Sequence, residues 1–152
     1  MKNKNISDLK TLLFGKKNII IIPHSNPDGD AIGSSLALMN LLKELDHKPI
    51  VISPNEPPNF LKWTPGFNEI IYFDKNEKNC TTQLKNADVI FTLDFNDLIR
   101  IGEMGNLLKS SNADIVMIDH HQNPKNYTNI IFSEPMIGST CELLFEIIVE
   151  LG

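Results

Sequence analysis

Histidine and aspartate gather in three short segments, each directly after an apolar run. The first is His24-Ser25-Asn26-Pro27-Asp28-Gly29-Asp30, after Asn18-Ile19-Ile20-Ile21-Ile22. The second is Asp94, closing Asp88-Val89-Ile90-Phe91-Thr92-Leu93, and the third is Asp119-His120-His121, closing Asp114-Ile115-Val116-Met117-Ile118. Carboxylates mixed with imidazoles form a ligand set suited to divalent Mn, Fe, Co or Zn. The chemistry expected of these residues is therefore metal chemistry, provided that the fold brings the three segments together.

The elements that must do so can be read around them. Apolar, β-branched runs of this length, bounded by polar turns, suit strands covered on both faces. Ligands of an open parallel sheet collect outside the carboxyl ends of its strands, so three such ends bearing Asp and His predict one shared site. Ile6, Leu9, Leu12 and Leu13 share a helical face, with Ser7 as an N-cap and Gly15 as a stop. A helix is expected from about Ala31 to Asp46, a strand at Pro49–Ile52 and an irregular Pro-rich stretch from Asn55 to Phe67. Ile70–Tyr72 reads as a short strand and Thr81–Asn86 as a short helix. A helix near Ile101–Lys109, an edge strand at Ile130–Phe132 and a last helix from Ser139 through Leu151 complete the chain. The alternation predicts an α/β domain, a doubly wound, mostly parallel sheet flanked by helices.

Each candidate has a plainer role beside the chemical one. Asp28 or Asp30 alone would suit a turn or a helix N-cap, but the whole H-x-N-P-D-G-D-A-x-G-S string after a buried strand exceeds what a turn needs. The helix that follows points the positive end of its dipole, with amides near Gly33 and Ser34, at this loop. Asp94 by itself is more often structural; its weight comes from the other two segments. Arg100 suits a phosphate or ribose contact, or a surface ion pair. In Asp119-His120-His121, neighbouring side chains at a strand end diverge, so one imidazole can ligate a metal while the other faces substrate, with Asp119 orienting a ring. Ser139-Thr140-Cys141-Glu142 matches a capping box, with amides at that helix start as a secondary phosphate contact. His47 suits a solvated helix end. Trp63, Phe60 and Phe67 can flank a base, with packing the expected role.

Composition narrows the classes. A chain of 152 residues, 41% hydrophobic and 22% charged, has the size and make-up of one soluble globular domain. A net charge of -5 argues against long duplex DNA as a partner, yet it permits a small phosphorylated substrate, because bound divalent ions invert the local field. Two cysteines, Cys80 and Cys141, are too few for a disulfide framework. No run is long enough to span a membrane, and the expected setting is cytoplasmic.

Taken together, the motifs resemble the DHH phosphoesterase family, nearest to its branch of oligoribonucleases and 3′-phosphoadenosine-5′-phosphate phosphatases, the nanoRNases. His24 to Ser34 resembles the first family motif, Leu93-Asp94 with Arg100-Ile101-Gly102 the second, Asp119-His120-His121 the triplet that names the family, and Gly138 to Glu142 the stretch opening the next helix. Gly29 between the two aspartates is similar to this branch rather than to family II pyrophosphatases. The resemblance implies a Rossmann-like DHH domain and two Mn²⁺ ions. His24, Asp28 and Asp94 would hold one; Asp30, Asp94 and His120 would hold the other, with Asp94 bridging and catalytic. His121 would contact the scissile phosphate, and Arg100 and Ser139 would be further substrate contacts. The implied reaction is hydrolysis of short RNA oligonucleotides or of the nucleoside bisphosphate, through two-metal activation of water. A homodimer is among the assemblies it allows.

One departure bears on the second ion. The family supplies a further Asp well downstream of the triplet, whereas residues 122–152 contain no Asp. No counterpart of the family's C-terminal substrate-binding domain follows either. Residues 1–152 are thus expected to be the amino-terminal DHH domain of a longer enzyme, with little activity alone and a weaker second metal position. The competing enzyme readings are a cyclic-dinucleotide phosphodiesterase and a pyrophosphatase or exopolyphosphatase. The competing non-enzyme reading is a metal-free nucleotide-binding module.

Overall fold

The computed structural model describes the backbone of residues 2–152 and the side chains of residues 4–152. Six strands, β1 (Asn18–Pro23), β2 (Lys48–Ser53), β3 (Ile71–Tyr72), β4 (Val89–Leu93), β5 (Asp114–Asp119) and β6 (Ile130–Ser133), form one sheet in the order β3-β2-β1-β4-β5-β6. Every neighbouring pair is parallel. The helices are α1 (Lys2–Leu12), α2 (Gly29–Glu44), α3 (Glu77–Lys85), α4 (Met104–Lys109) and α5 (Thr140–Leu151).

The isoleucine run of β1 shows why both faces need cover. Ile19 and Ile21 point into a core shared with Ile32, Leu36, Leu143 and Leu144 of α2 and α5. Ile20 and Ile22 enter a second core, with Cys80 and Leu84 of α3 and Met104 and Leu108 of α4. Successive side chains of a strand alternate between faces, so an unbroken apolar run is stable only between two helical layers. Burying each such side chain contributes about 1.5–3 kcal/mol.

The strand order carries the functional consequence. From β1 the chain steps outward to β2 and β3, then returns to the opposite side of β1 as β4. The connections leaving β1 and β4 therefore diverge, and the crevice between them is the binding point of doubly wound sheets. His24 and Asp94 follow those two strands directly.

Several expectations from sequence are displaced. Ser7 lies inside α1 instead of capping it, and its carbonyl accepts the Thr11 hydroxyl at 3.0 Å. The helix expected near Ile101–Lys109 starts later, at Met104 as α4, after a 3-10 turn over Leu98–Ile101 capped by Asp97. Gly102, at φ 56°, breaks the two apart. His47 is buried, not solvated, and its Nδ1 lies 3.3 Å from the amide of Lys17. Phe67 packs in the core, but Phe60 and Trp63 do not. No helix of the described residues is long and apolar enough to cross a membrane.

Candidate metal centre

The loop after β1 is shaped by its own polar atoms. Asn26 adopts a left-handed φ of 51°, a conformation that Asn tolerates better than most residues. The amide of Ser25 donates to the Arg100 carbonyl at 2.8 Å, and the amide of Asn26 donates to Asn55 Oδ1 at 2.7 Å. Asp28 caps α2, its Oδ1 accepting the amides of Asp30 at 3.1 Å and Ala31 at 3.0 Å. His24 is buried, with Nδ1 2.8 Å from the Ser25 carbonyl. A carbonyl only accepts, so that contact assigns the proton to Nδ1 and leaves the Nε2 lone pair of the neutral ring for a ligand. Nε2 lies 3.5 Å from Asp94 Oδ2 and 3.9 Å from Asp28 Oδ1. The Asp94 carboxylate raises the His24 pKa above its ordinary value, outweighing burial, which lowers it.

Asp94 is the hinge of the site. It is 2% exposed and, one residue past β4, takes a left-handed φ of 65° while its amide donates to the Ile118 carbonyl at 3.1 Å. Backbone held in this region by its surroundings is often a feature of functional sites. Oδ2 faces His24, whereas Oδ1 faces His120 Nε2 at 3.5 Å and accepts the Thr140 hydroxyl at 2.8 Å. The two oxygens of one buried carboxylate thus look toward two separate groups of donors.

The second group depends on α5. Asp30 Oδ2 is 3.6 Å from His120 Nε2. Its two oxygens also accept the amides of Thr140 and Cys141, each at 2.8 Å, at the N-terminus of α5. Burial pushes the Asp30 carboxyl up, but the Cys141 thiol and amide, the Thr140 amide and His120 together hold it below the usual range. The Cys141 thiol is pushed up to about 12, first by burial and then by Asp30. Asp119, fully buried, accepts the His121 amide at 2.9 Å and holds His121 Nδ1 at 2.7 Å.

Both imidazoles of the triplet approach Asp94, His120 at 3.5 Å and His121 at 4.0 Å, with their ring centroids 4.7 Å apart. The divergence expected of neighbouring strand residues does not occur, because β5 ends at Asp119 and the two histidines lie in the turn beyond it. The orienting role of Asp119 falls on His121. Gly33 and Ser34 do not offer free amides to the loop; they sit in the second turn of α2. A Cβ on Gly33 would lie 3.2 Å from Cys141 Sγ, so this glycine lets α5 approach. Arg100 is exposed and forms no ion pair among the described residues; its carbonyl, not its guanidinium, meets the site loop. Ser139 caps α5 by accepting the Glu142 amide at 3.0 Å, but the Glu142 carboxylate reaches the amide of Gly138 instead of completing the reciprocal box on Ser139. Thr140, whose hydroxyl and amide bond Asp94 and Asp30, does not stand out in the sequence. A capping motif hides such a role.

Ligand atoms of His24, Asp28 and Asp94 lie within 4.8 Å of one another, as do those of Asp94, His120 and His121. Imidazole and carboxylate donors without a thiolate fit borderline to hard divalent ions such as Mn²⁺. Asp30 extends the second group through His120.

Known proteins are similar to this chain in sequence and in fold. The chain is 31% identical over 134 residues to the bifunctional oligoribonuclease and PAP phosphatase NrnA of Thermus thermophilus, an alignment covering 88% of this chain and 37% of that protein. It is 24% identical to the cyclic-di-AMP phosphodiesterase PdeA of Listeria monocytogenes, over 91% of this chain and 22% of that one. The crystal structure of an exopolyphosphatase-related protein from Bacteroides fragilis superposes with a TM-score of 0.96 at 40% identity, over 99% of this chain and 44% of that one. The fold is shared with exonuclease RecJ bound to manganese, at a TM-score of 0.56 and 16% identity over 97% of this chain and 36% of that one. The chain thus spans less than half the length of these relatives. The model of the DHH family N-terminal domain matches residues 18–151, and the chain belongs to the DHH family.

Proposed function

We propose that this domain is the metal-binding part of a hydrolase that cleaves phosphoester bonds in short oligoribonucleotides, in 3′-phosphoadenosine-5′-phosphate, or in both. The observation that carries the proposal is Asp94, a buried carboxylate whose Oδ2 and Oδ1 face two different His/Asp groups. His24 and Asp28 would share one Mn²⁺ with Asp94, and Asp30 and His120 the other. Two ions so held would supply an activated water and neutralise charge on the phosphoryl oxygens. The chain's own residues hold the geometry. Thr140 fixes the Asp94 carboxylate, the start of α5 fixes Asp30, and Asp119 fixes the His121 ring. With Nδ1 taken by Asp119 and its side chain 49% exposed, His121 is suited to meet a substrate phosphate through Nε2. Orientation of the phosphate for in-line attack is assigned to a further substrate-binding domain, in keeping with the greater length of the relatives.

Cyclic-dinucleotide hydrolysis is the second reading, favoured by the similarity to the Listeria enzyme. The test measures Mn²⁺ binding by calorimetry. Turnover of pApA, 3′-phosphoadenosine-5′-phosphate, cyclic-di-AMP and pyrophosphate is then assayed on the 152 residues and on the natural polypeptide that contains them. Mn-dependent release of mononucleotide from pApA supports the proposal, and His121→Ala should lower that turnover far more than it lowers metal content. Turnover of pyrophosphate alone, or Mn²⁺ binding unaffected by loss of Asp94, would overturn it.

A further inference from the structure

The stretch between β2 and β3, which meets the site loop through Asn55 and Leu61, carries two bare aromatic rings. Phe60 is 72% and Trp63 79% exposed, while Leu61 between them is buried at 6%. Amides of Leu61, Lys62, Thr64 and Phe67 each donate to the carbonyl three residues earlier, at 3.0–3.1 Å. The 3-10 turn covers Asn59–Leu61 and Lys62 continues it with αR backbone, so Phe60 and Trp63, three residues apart, project from one side and Leu61 from another. Leu61 faces the start of α2: a Cβ placed on Gly29, between Asp28 and Asp30, would meet Leu61 Cδ2 at 3.9 Å.

This stretch is also fastened along its length. Asn55 pairs with Asn26 of the site loop through both side chain and backbone, at 3.2 and 2.7 Å. Farther on, the Asn40 side chain donates to the Pro65 carbonyl at 3.4 Å, and Lys43 pairs with Glu69. Burial of Leu61 explains the turn but not the outward aromatics on it. Exposed Lys62, placed between them in sequence, adds a cation.

We infer that Phe60 and Trp63 form a stacking platform for the nucleobase next to the scissile phosphate, with Lys62 close to the backbone of the same nucleotide. The inference rests on the phosphoester reading above and names how that site would prefer nucleotides over inorganic phosphates. Flat aromatic faces accept any base without reading its edges, so the platform would bind a base without selecting among the four. It occupies the carboxyl edge of the sheet, where β2 ends beside β1.

Trp63 is the sole tryptophan of the chain, which makes the test direct. Wild-type protein in Mg²⁺ is titrated with pApA and separately with pyrophosphate, following Trp63 emission and, independently, binding by calorimetry. The expected result is quenching by pApA and none by pyrophosphate. Phe60→Ala and Trp63→Ala should each weaken pApA binding about tenfold and leave pyrophosphate affinity unchanged. Wild-type binding of pApA with no change in emission and no loss in either variant overturns the platform while leaving the phosphoester reading standing. Failure of the wild type to bind pApA, with pyrophosphate bound, removes both. A wild-type dimer that Trp63→Ala converts to monomer at unchanged pApA affinity also overturns it, and assigns the rings to a protein contact.

Discussion

The two donor groups that meet at Asp94 are built in different ways. The His24–Asp28 group lies within five consecutive residues, shaped by the Asn26 turn and by Asp28 capping its own helix. The Asp30–His120–His121 group draws on α2, the turn after β5 and the start of α5, and the bonds from α5 to Asp30 span more than a hundred residues. Much of the first follows from local conformation, whereas the second requires the completed fold. A disturbance of α5 should therefore reach the second group more than the first.

The largest expected effect comes from the residue common to both. Asp94→Asn preserves the side chain's size and its tolerance for a left-handed φ, yet removes the charge that faces His24 and His120. Calorimetry should show Mn²⁺ affinity falling at both positions by at least about a hundredfold, above the usual 10–100-fold cost of losing an outer partner. Loss at only one position would show that the two groups do not share this carboxylate.

A matched pair separates them. Asp28→Asn keeps the N-cap, since Asn caps as well as Asp, and should weaken only the first position, by about tenfold or more. Asp30→Asn should weaken only the second. It should also lower stability by about 1–3 kcal/mol, because charged acceptors of backbone amides contribute more than neutral ones. Metal titration and denaturant unfolding read the two effects separately. Equal metal losses at both positions in both variants would erase the distinction between the groups.

Smaller still is Thr140→Val, which removes the hydroxyl on Asp94 Oδ1 and leaves the shape. An affinity loss of about tenfold is expected, falling more on the second position because Oδ1 faces it, together with about 1 kcal/mol in unfolding free energy. A loss confined to the first position would contradict the assignment of the two oxygens. Least of all, Ser139→Ala removes the α5 cap and should cost about 1 kcal/mol, seen as a lower unfolding midpoint. It should leave Mn²⁺ binding at the first position unchanged.

How far these features can be read from the chain depends on the distance over which they are encoded. The strands were legible because apolar β-branched runs of this kind have few other stable uses. That His24, Asp28, Asp30, Asp94 and His120 would meet was legible because each follows a strand end, and the ends of a parallel sheet are neighbours. Boundaries were less so: Ser7 resembles a cap but lies within α1, and Gly102 delays to Met104 a helix that reads as starting near Ile101. The exposure of Phe60 and Trp63 could not be read, because aromatic residues in a Pro-rich stretch are packed or bare according to what lies against them.

The layered parallel sheet is encoded locally, in the unbroken isoleucines of β1, as is the set of side-chain donors at the candidate site, in the histidines and aspartates that close the strands. Long-range packing sets which oxygen of Asp94 faces which group, that Asp119 holds His121 and not His120, and that Thr140 and Cys141 anchor Asp30. The physical reason is range. A strand end is specified by residues next to it, but the direction of a side chain at that end is set by hydrogen bonds and packing from elements far away in the chain.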